Sequence, residues 1–392
     1  MIIRLLKSDF LSLVNNQLAV FPGVGYNKAM RIGWDVSAIP YGTGVSRYTT
    51  NLVRALVRLY PQEDYVLFGG SFRQLPLLKS FASSLPSMPQ IKYYPLPPKL
   101  STLLFNKWHL SIEWFMGNLD IFHSWDWYTP KVTSGKLVTT IHDLSAIKFP
   151  NDTNPKIVRQ HRMALEWIKK ETAAVIAVSE TTKKDIVSIL SIEEKRIHVV
   201  YEALSEESKV KIVKSEVDNV KKKYSISKPY ILAVLSFEPR KNIRRLISAW
   251  RKLQNDFDLV LVGKSGYETV ESKEGIIVTG YVEGKTLAAL YAGAICLAYP
   301  SLYEGFGLPI LEAFYYEVPV VTSNVSSMPE VAGKAAVLID PYEIDSIRQG
   351  IVRAIEKKDE LVKLGKERLK LFSWEKAAEE TMAIYEKVVS EK

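Results

Sequence analysis

The chain has 392 residues, a length that suggests two domains. Hydrophobic residues at 47% and charged residues at 24% describe a globular chain with a sizeable core and exclude a largely disordered one. The formal net charge of +9 favours acidic partners: nucleic acid, anionic lipid or phosphorylated small molecules. No zinc-ligand cluster and no aromatic RNP signature accompanies that charge, so nucleic acid is set aside. An anionic membrane surface stays open, because peripheral attachment needs only basic and aromatic side chains.

Residues 1–29 mix Ile2, Ile3, Leu5 and Leu6 with Arg4, Lys7 and Asp9, and show no signal-peptide core. They are either an extra N-terminal arm or lie upstream of a start at Met30. No apolar run is long enough to span a bilayer.

From residue 30 the pattern alternates. Residues 31–36 read as a strand, Gly42-Thr43-Gly44 as a loop and 46–59 as an amphipathic helix. Residues 65–68 read as a short strand ended by Gly69-Gly70. The proline-rich stretch 84–100 reads as loop and edge strand, and 108–115 as a helix. Strands are predicted at 121–123 and 136–141, a helix at 156–171, and a strand at 174–178 followed by a cap at Ser179. The charged segment 206–228 reads as a linker.

A second alternating series follows, with strands at 230–235, 258–262, 275–278, 294–299 and 319–321, helices after residue 242, at 286–292 and at 309–316, and a final helix at 374–389. Short apolar strands alternating with helices imply parallel sheets covered on both faces. The expected fold is α/β, with two doubly wound Rossmann-like domains facing across a cleft. The domains are assigned to residues 30–205 and 229–372, and a terminal helix, 373–392, is free to pack back on the first. Ligands of such sheets bind beyond the strands' carboxyl ends, so the cleft is the natural site.

A lone cysteine, Cys296, cannot make an internal disulfide, and a reducing compartment fits best. It lies in an apolar run and reads as a small buried hydrophobe.

Four constellations carry chemistry. In the first, Glu304-Gly305-Phe306-Gly307 follows a strand, and Pro309 sits where a helix begins. The glycines let backbone approach a ligand, and the helix amides face it. Glu312, placed in the first turn, suits hydroxyls such as a ribose diol, and Glu304 suits a sugar. The alternative is a plain turn, with Glu312 complementing the helix dipole. In the second, Glu238-Pro239-Arg240-Lys241-Asn242 puts cations at a strand-to-helix turn. They either neutralise a diphosphate or form an exposed basic helix start, against the dipole.

The third is His142-Asp143 at a strand end, placed to act on a sugar or hydroxyl, or structural. The fourth is Gly42-Thr43-Gly44 before Ser46 and Arg47, which either cradles a ligand or makes a turn; the dinucleotide fingerprint is absent. An aromatic band of Phe122, Trp125, Trp127 and Tyr128 with Trp108 and Trp114 stacks on sugars, meets a membrane, or packs under loops.

Glu-Pro-Arg-Lys-Asn followed by Glu-Gly-Phe-Gly-Leu-Pro-x-x-Glu-Ala resembles the family-4 retaining glycosyltransferases, which have the GT-B fold. The resemblance runs from Met30 to the C-terminus. It includes His142-Asp143, Ala177-Val178-Ser179, Gly280-Tyr281-Val282 and Met328-Pro329-Glu330. It implies that Glu304 holds the donor sugar's hydroxyls, Glu312 the ribose, and the amides of Phe306, Gly307 and Leu308 the diphosphate, beside Gly305. Arg240 and Lys241 counter the diphosphate's charge. Gly280, Tyr281 and Val282 line the base pocket, His142 contacts the sugar near the reacting carbon, Asp143 adjoins it, and Gly44 lies near the phosphates and the acceptor. His142, Glu304 and Lys241 are the expected catalytic residues.

The family needs no metal, which fits the lack of an Asp-x-Asp motif. The expected cofactor is none, the nucleoside-diphosphate sugar being a substrate. One departure is that the family's further arginine, five or six residues before the lysine, is here Ser236 or Leu235. Neutralisation then rests on Lys241, with Arg240's share less defined.

The implied activity is retaining hexosyl transfer, mannose favoured over glucose, from a GDP-mannose or UDP-glucose type of donor to a glycan or lipid-linked acceptor. The setting is cytoplasmic, with peripheral contact at the inner face of the cell membrane. A glycosidase using Glu304 and Glu312, a sugar-nucleotide epimerase and a non-catalytic binding subunit remain alternatives.

Overall fold

The computed structural model describes residues 29–71, 73–264 and 269–391. The expectation of an extra arm or a later start concerns residues that, up to position 28, lie outside the described residues.

Seven strands form one parallel sheet: β1 (Arg31–Asp35), β2 (Asp64–Gly70), β3 (Gln90–Tyr94), β4 (Ile121–Trp125), β5 (Lys136–Ile141), β6 (Ala174–Ala177) and β7 (Ile197–Val199), in the order β3-β2-β1-β4-β5-β6-β7. Six form the other: β8 (Tyr230–Val234), β9 (Asp258–Val262), β10 (Ile276–Gly280), β11 (Cys296–Tyr299), β12 (Val320–Ser323) and β13 (Ala336–Ile339), in the order β10-β9-β8-β11-β12-β13. The order reverses between β1 and β4 and again between β8 and β11. At such switch points the loops leaving adjacent strands part and open a crevice. Glu238-Pro239-Arg240-Lys241 follows β8, and Glu304-Gly305-Phe306-Gly307 follows β11, so the two motifs flank one switch point.

The helices that position the site are α1 (Gly44–Leu59), α2 (Pro155–Glu171), α3 (Glu180–Asp185), α4 (Ile243–Trp250), α5 (Gly284–Ala292), α6 (Leu308–Tyr315) and α7 (Trp374–Ser390). Helix α1 begins at a reciprocal cap: the Thr43 hydroxyl accepts from the Ser46 amide, and the Ser46 hydroxyl accepts from the Thr43 amide. Gly42, at φ +64°, makes the turn into it. Helix α7 lies against α1, with Trp374 edge-on to Tyr48 at 5.7 Å and an ion pair between Arg58 and Glu375. Tyr385 of α7 is hydrogen-bonded to Nδ1 of His123 on β4. One apolar cluster runs from Ile32 and Leu52 of the first sheet's layers through Tyr385 and Met382 to Leu297 and Leu311 of the second.

Local differences from the sequence reading have physical causes. Strand β2 runs through Gly69 and Gly70, because β3 pairs with both through Tyr93 and Tyr94 and the Gly70 amide donates to the Ser37 hydroxyl on the other side. The helix expected at 108–115 is interrupted. A π-type turn, Thr102–Lys107, precedes it, and only Glu113–Met116 is helical. Between them His109, at φ +50°, stacks on Trp167 of α2 at 3.6 Å. The segment 206–228 contains a helix, Lys214–Lys223. Cys296 is fully buried on β11, and burial pushes its thiol up to about 12.

Candidate functional site

Glu304 anchors the site. Its Oε1 accepts from Lys241 Nζ and from the Tyr299 hydroxyl, each at 2.6 Å. Its Oε2 accepts from Lys241 Nζ at 2.6 Å and Arg240 Nη1 at 3.4 Å. Burial alone would raise this carboxyl, but Lys241 and Arg240 outweigh it and hold Glu304 down at about 2. The Arg240 guanidinium also donates Nε to Glu238 Oε2 at 2.9 Å and Nη1 to the Tyr303 carbonyl at 3.2 Å. Asn242, at φ +62°, ties the two loops together by donating to the carbonyls of Pro300 and Pro341.

Beyond Glu304 the chain turns at Gly307, φ +114°, into α6 with Pro309 in its first turn. The amides of Phe306, Gly307 and Leu308 have no partner among the described residues and no side-chain cap. Such amides carry the partial positive charge of a helix start. Glu312 sits one turn further along than the sequence placed it, because α6 begins at Leu308 and no acidic residue falls in its first turn. Its Oε2 accepts from the Tyr291 hydroxyl at 2.7 Å, and its Oε1 faces Arg47 Nη1 of α1 at 3.4 Å. Burial raises the Glu312 carboxyl, against the pull of Arg47 and Tyr291.

Arg47 and Glu312 line a cavity of about 420 Å³ between the sheets, with Gly42, Ser46, Glu283, Leu287 and Tyr291 also on its wall. That is the scale of a small-ligand pocket. Gly280 ends β10 at φ +71°, Tyr281 is exposed with its hydroxyl on Glu283, and Val282 packs on the apolar cluster, so the expected base-pocket segment leads directly to Glu283 on this wall. Gly44 starts α1 with open space beside its α-carbon, so the Gly-Thr-Gly loop both makes the turn and leaves backbone exposed.

His142 follows β5. Its Nδ1 lies 3.1 Å from Glu202 Oε1, its amide donates to Asp126 Oδ2, and Tyr48 stands edge-on to its ring at 4.6 Å. Its Nε2 is buried and has no hydrogen-bond partner among the described residues. Burial lowers the imidazole, but Glu202, Asp126 and Asp143 outweigh it and raise it above its usual range. Asp143 accepts from the Ser145 amide at 2.7 Å. The α-carbon of Gly305 packs directly on the His142 carbonyl, and the Gly305 carbonyl accepts from the Thr182 hydroxyl of α3 at 3.2 Å. Tyr303 donates to Asp185 at 2.8 Å, and the Glu330 carboxylate accepts from the amides of Glu180 and Thr181. The loop carrying Glu304 is thereby seated on the turn carrying His142.

Two groups of residues here had no sequence signal. Tyr291 and Tyr299 lie in apolar runs and looked like core. Glu202 and Asp126 follow strands with nothing to mark them. The aromatic band divides: Phe122 and Trp125 are buried, with the Trp125 indole donating to Asp35, whereas Trp108 and Trp114 are 53% and 62% exposed. No group of three or more His, Cys, Asp or Glu side chains is arranged to hold a metal ion among the described residues.

Residues 214–370 match the family model described as glycosyl transferases group 1, and residues 42–207 match that of glycosyltransferase family 4. The chain is 32% identical to the O-antigen chain mannosyltransferase B of Escherichia coli, over 91% of this chain and 99% of that one. It is 28% identical to the MMP alpha-(1->4)-mannosyltransferase of Mycolicibacterium hassiacum over 57% of this chain and 56% of that one. Among solved structures, the sucrose-phosphate synthase of Thermosynechococcus elongatus superposes with a TM-score of 0.68 at 18% identity, covering 93% of this chain and all of that one. Anabaena HepE, solved in complex with UDP and glucose, superposes at 0.63 with 15% identity, covering 92% of this chain and all of that one. With two doubly wound sheets and these matches along nearly its whole length, the chain belongs to the family-4 glycosyltransferases of GT-B fold.

Proposed function

We propose that the chain is a retaining hexosyltransferase. It moves mannose, with glucose the second candidate, from a GDP-mannose or UDP-glucose type of donor to a hydroxyl of a glycan or lipid-linked acceptor. The observation that carries this reading is the carboxylate of Glu304 clamped by Lys241 and Arg240 at the β8/β11 switch point, one residue from the contact between Gly305 and His142. Names of the relatives support the choice of mannose.

As the bond from the anomeric carbon to phosphate breaks, the carbon takes on oxocarbenium character and negative charge gathers on the departing diphosphate. Lys241, Arg240 and the amides of Phe306, Gly307 and Leu308 stabilise that charge. Glu304, Glu312 and His142 Nε2 hold hydroxyls of the sugar and ribose. The acceptor hydroxyl attacks from the face the phosphate leaves, passing its proton to the leaving oxygen, so the configuration is kept. The scheme uses no metal and no cofactor beyond the donor. A glycosidase reading fits less well, because both oxygens of Glu304 are already engaged by cations and a phenol.

The acceptor's setting is a peripheral one at an anionic membrane, supported by exposed Trp108 and Trp114, with Lys107 next to Trp108 and Lys131 bridged to Ser111 in the segment between them. No helix among the described residues is long and apolar enough to cross a membrane.

A thermal-shift panel of GDP, UDP and ADP with their sugars tests the donor, since a ligand of the native state raises the melting temperature. GDP and GDP-mannose are expected to give the largest rise. Product NMR then reads the anomeric configuration. Wild-type transfer by both Lys241→Ala and Glu304→Ala from every nucleotide sugar would overturn the reading, and hydrolysis without nucleotide would turn it to a glycosidase.

A further inference from the structure

The charge available for a diphosphate in the loops after β8 and β11 is smaller than the motif suggests. Arg240 and Lys241 are the cations, and both are committed. Lys241 spans the two oxygens of Glu304 at 2.6 Å, and Arg240 is shared between Glu304 at 3.4 Å and Glu238 at 2.9 Å. Two cations against two carboxylates leave this cluster close to neutral. The positions where the family carries a further arginine hold a buried Leu235 and a Ser236 whose hydroxyl donates to Glu238. Neither supplies charge.

Arg47 has the opposite situation. It belongs to α1, on the other side of the cleft, in the first turns after the exposed Gly44 backbone. Its guanidinium reaches across to the second sheet's α6 and meets a single oxygen of Glu312 at 3.4 Å, with its side chain 36% exposed. It also faces the Tyr281 hydroxyl. This contact is long and monodentate, unlike the bidentate pairs that fix arginines in place. Glu312, which Arg47 meets, lies four residues past Leu308, a rise of about 6 Å along the axis of α6 from its start beside the open amides.

We propose that Arg47 is a donor-binding residue that supplies the missing cation from the opposite domain. The proposal rests on the reading of the cleft as a nucleoside-diphosphate site. When a ribose diol donates to Glu312, it takes up the oxygen that Arg47 holds in the free protein. The guanidinium is then released toward the diphosphate at the start of α6. Glu312 keeps its Tyr291 bond throughout and remains the ribose acceptor. Binding of the nucleotide thereby uses a residue from each side of the cleft.

Calorimetric titration of the full chain with a nucleoside, its monophosphate and its diphosphate separates this role from others. The guanosine and uridine series are both run, with Arg47→Ala and Arg47→Lys beside the wild type and melting temperatures as the folding control. The expected result is that Arg47→Ala weakens the diphosphate about tenfold or more while the nucleoside changes by less than about twofold, with Arg47→Lys in between. Equal weakening of diphosphate and nucleoside overturns the proposal, because Arg47 then serves the ribose or base wall only. An unchanged diphosphate affinity also overturns it. If Arg47→Ala does not fold, Arg47→Lys decides by the same ratio. A wild-type protein that binds no member of either series overturns the reading of a guanine or uracil nucleotide donor, a result no Arg47 variant can mimic.

Discussion

The α-carbon of Gly305 faces the carbonyl oxygen of His142 so closely that a β-carbon would stand 1.9 Å from it. Two residues from different sheets thus share one contact, and any side chain at 305 must part them. Gly305→Ala is expected to separate the loop of Glu304 from the turn of His142, and a misplacement on the order of 1 Å costs about a hundredfold in rate. Overpacking adds about 1–3 kcal/mol of destabilisation. Transfer kinetics beside a denaturant melt check both; wild-type kcat in Gly305→Ala would refute the expectation.

Lys241→Ala leaves Glu304 buried with only Arg240 and Tyr299 as donors. Breaking a buried pair costs about 3–5 kcal/mol, and loss of a charge-stabilising donor costs about a hundredfold or more in kcat. The Glu304 carboxyl, held at about 2, gives stability that is present above its ordinary 4.5 and lost as pH falls toward 2. In Lys241→Ala that acid transition moves upward in pH. Urea melts between pH 2 and 6 read the shift.

Glu202 holds the Nδ1 side of His142 and leaves the buried Nε2 without a hydrogen-bond partner among the described residues. The raised imidazole contributes stability that is full below its ordinary 6.5 and fades as pH climbs through the folded value. Glu202→Gln keeps an acceptor for Nδ1 but removes the charge. NMR titration of the His142 ring is expected to show a midpoint above 6.5 in the wild type and a lower one in the variant. A midpoint that stays put would show that Glu202 does not set the protonation of His142.

Trp108 and Trp114 stand exposed on the segment between β3 and β4, with Lys107 next to Trp108. Replacing both by Ala is expected to reduce sedimentation with vesicles containing anionic lipid by about tenfold, and salt is expected to weaken the wild type's binding. Soluble-donor binding should be unchanged. Retained vesicle binding by the double variant argues against this face.

The alternation of strands and helices was legible because each strand is a short apolar run and each helix carries one polar face. Legibility failed where tertiary contacts overrode local preference. Gly69 and Gly70 extend β2 because β3 pairs with both of them. The stretch after Lys107 breaks because His109 stacks on Trp167. In the site, Glu304, Lys241 and His142 were readable from their place after strands. Their partners were not, since Tyr299 and Tyr291 are written as core residues and become polar only through one hydroxyl each. Glu202 follows a three-residue strand, too short to announce itself. The reach of Arg47 across the cleft depends on how two sheets face one another, which no local pattern encodes.

Helix α7 has a consequence for engineering. The chain leaves the first sheet after β7 and returns to it in α7, where Trp374 and Tyr385 meet Tyr48 and His123. The second sheet is therefore threaded as an internal cassette with two junctions. Exchange of donor preference between relatives calls for a graft cut at both crossings, near residues 205 and 373. A simple swap of carboxyl-terminal halves would press a foreign helix against a native histidine and tyrosine, and the chimera would fail in the half that was never exchanged.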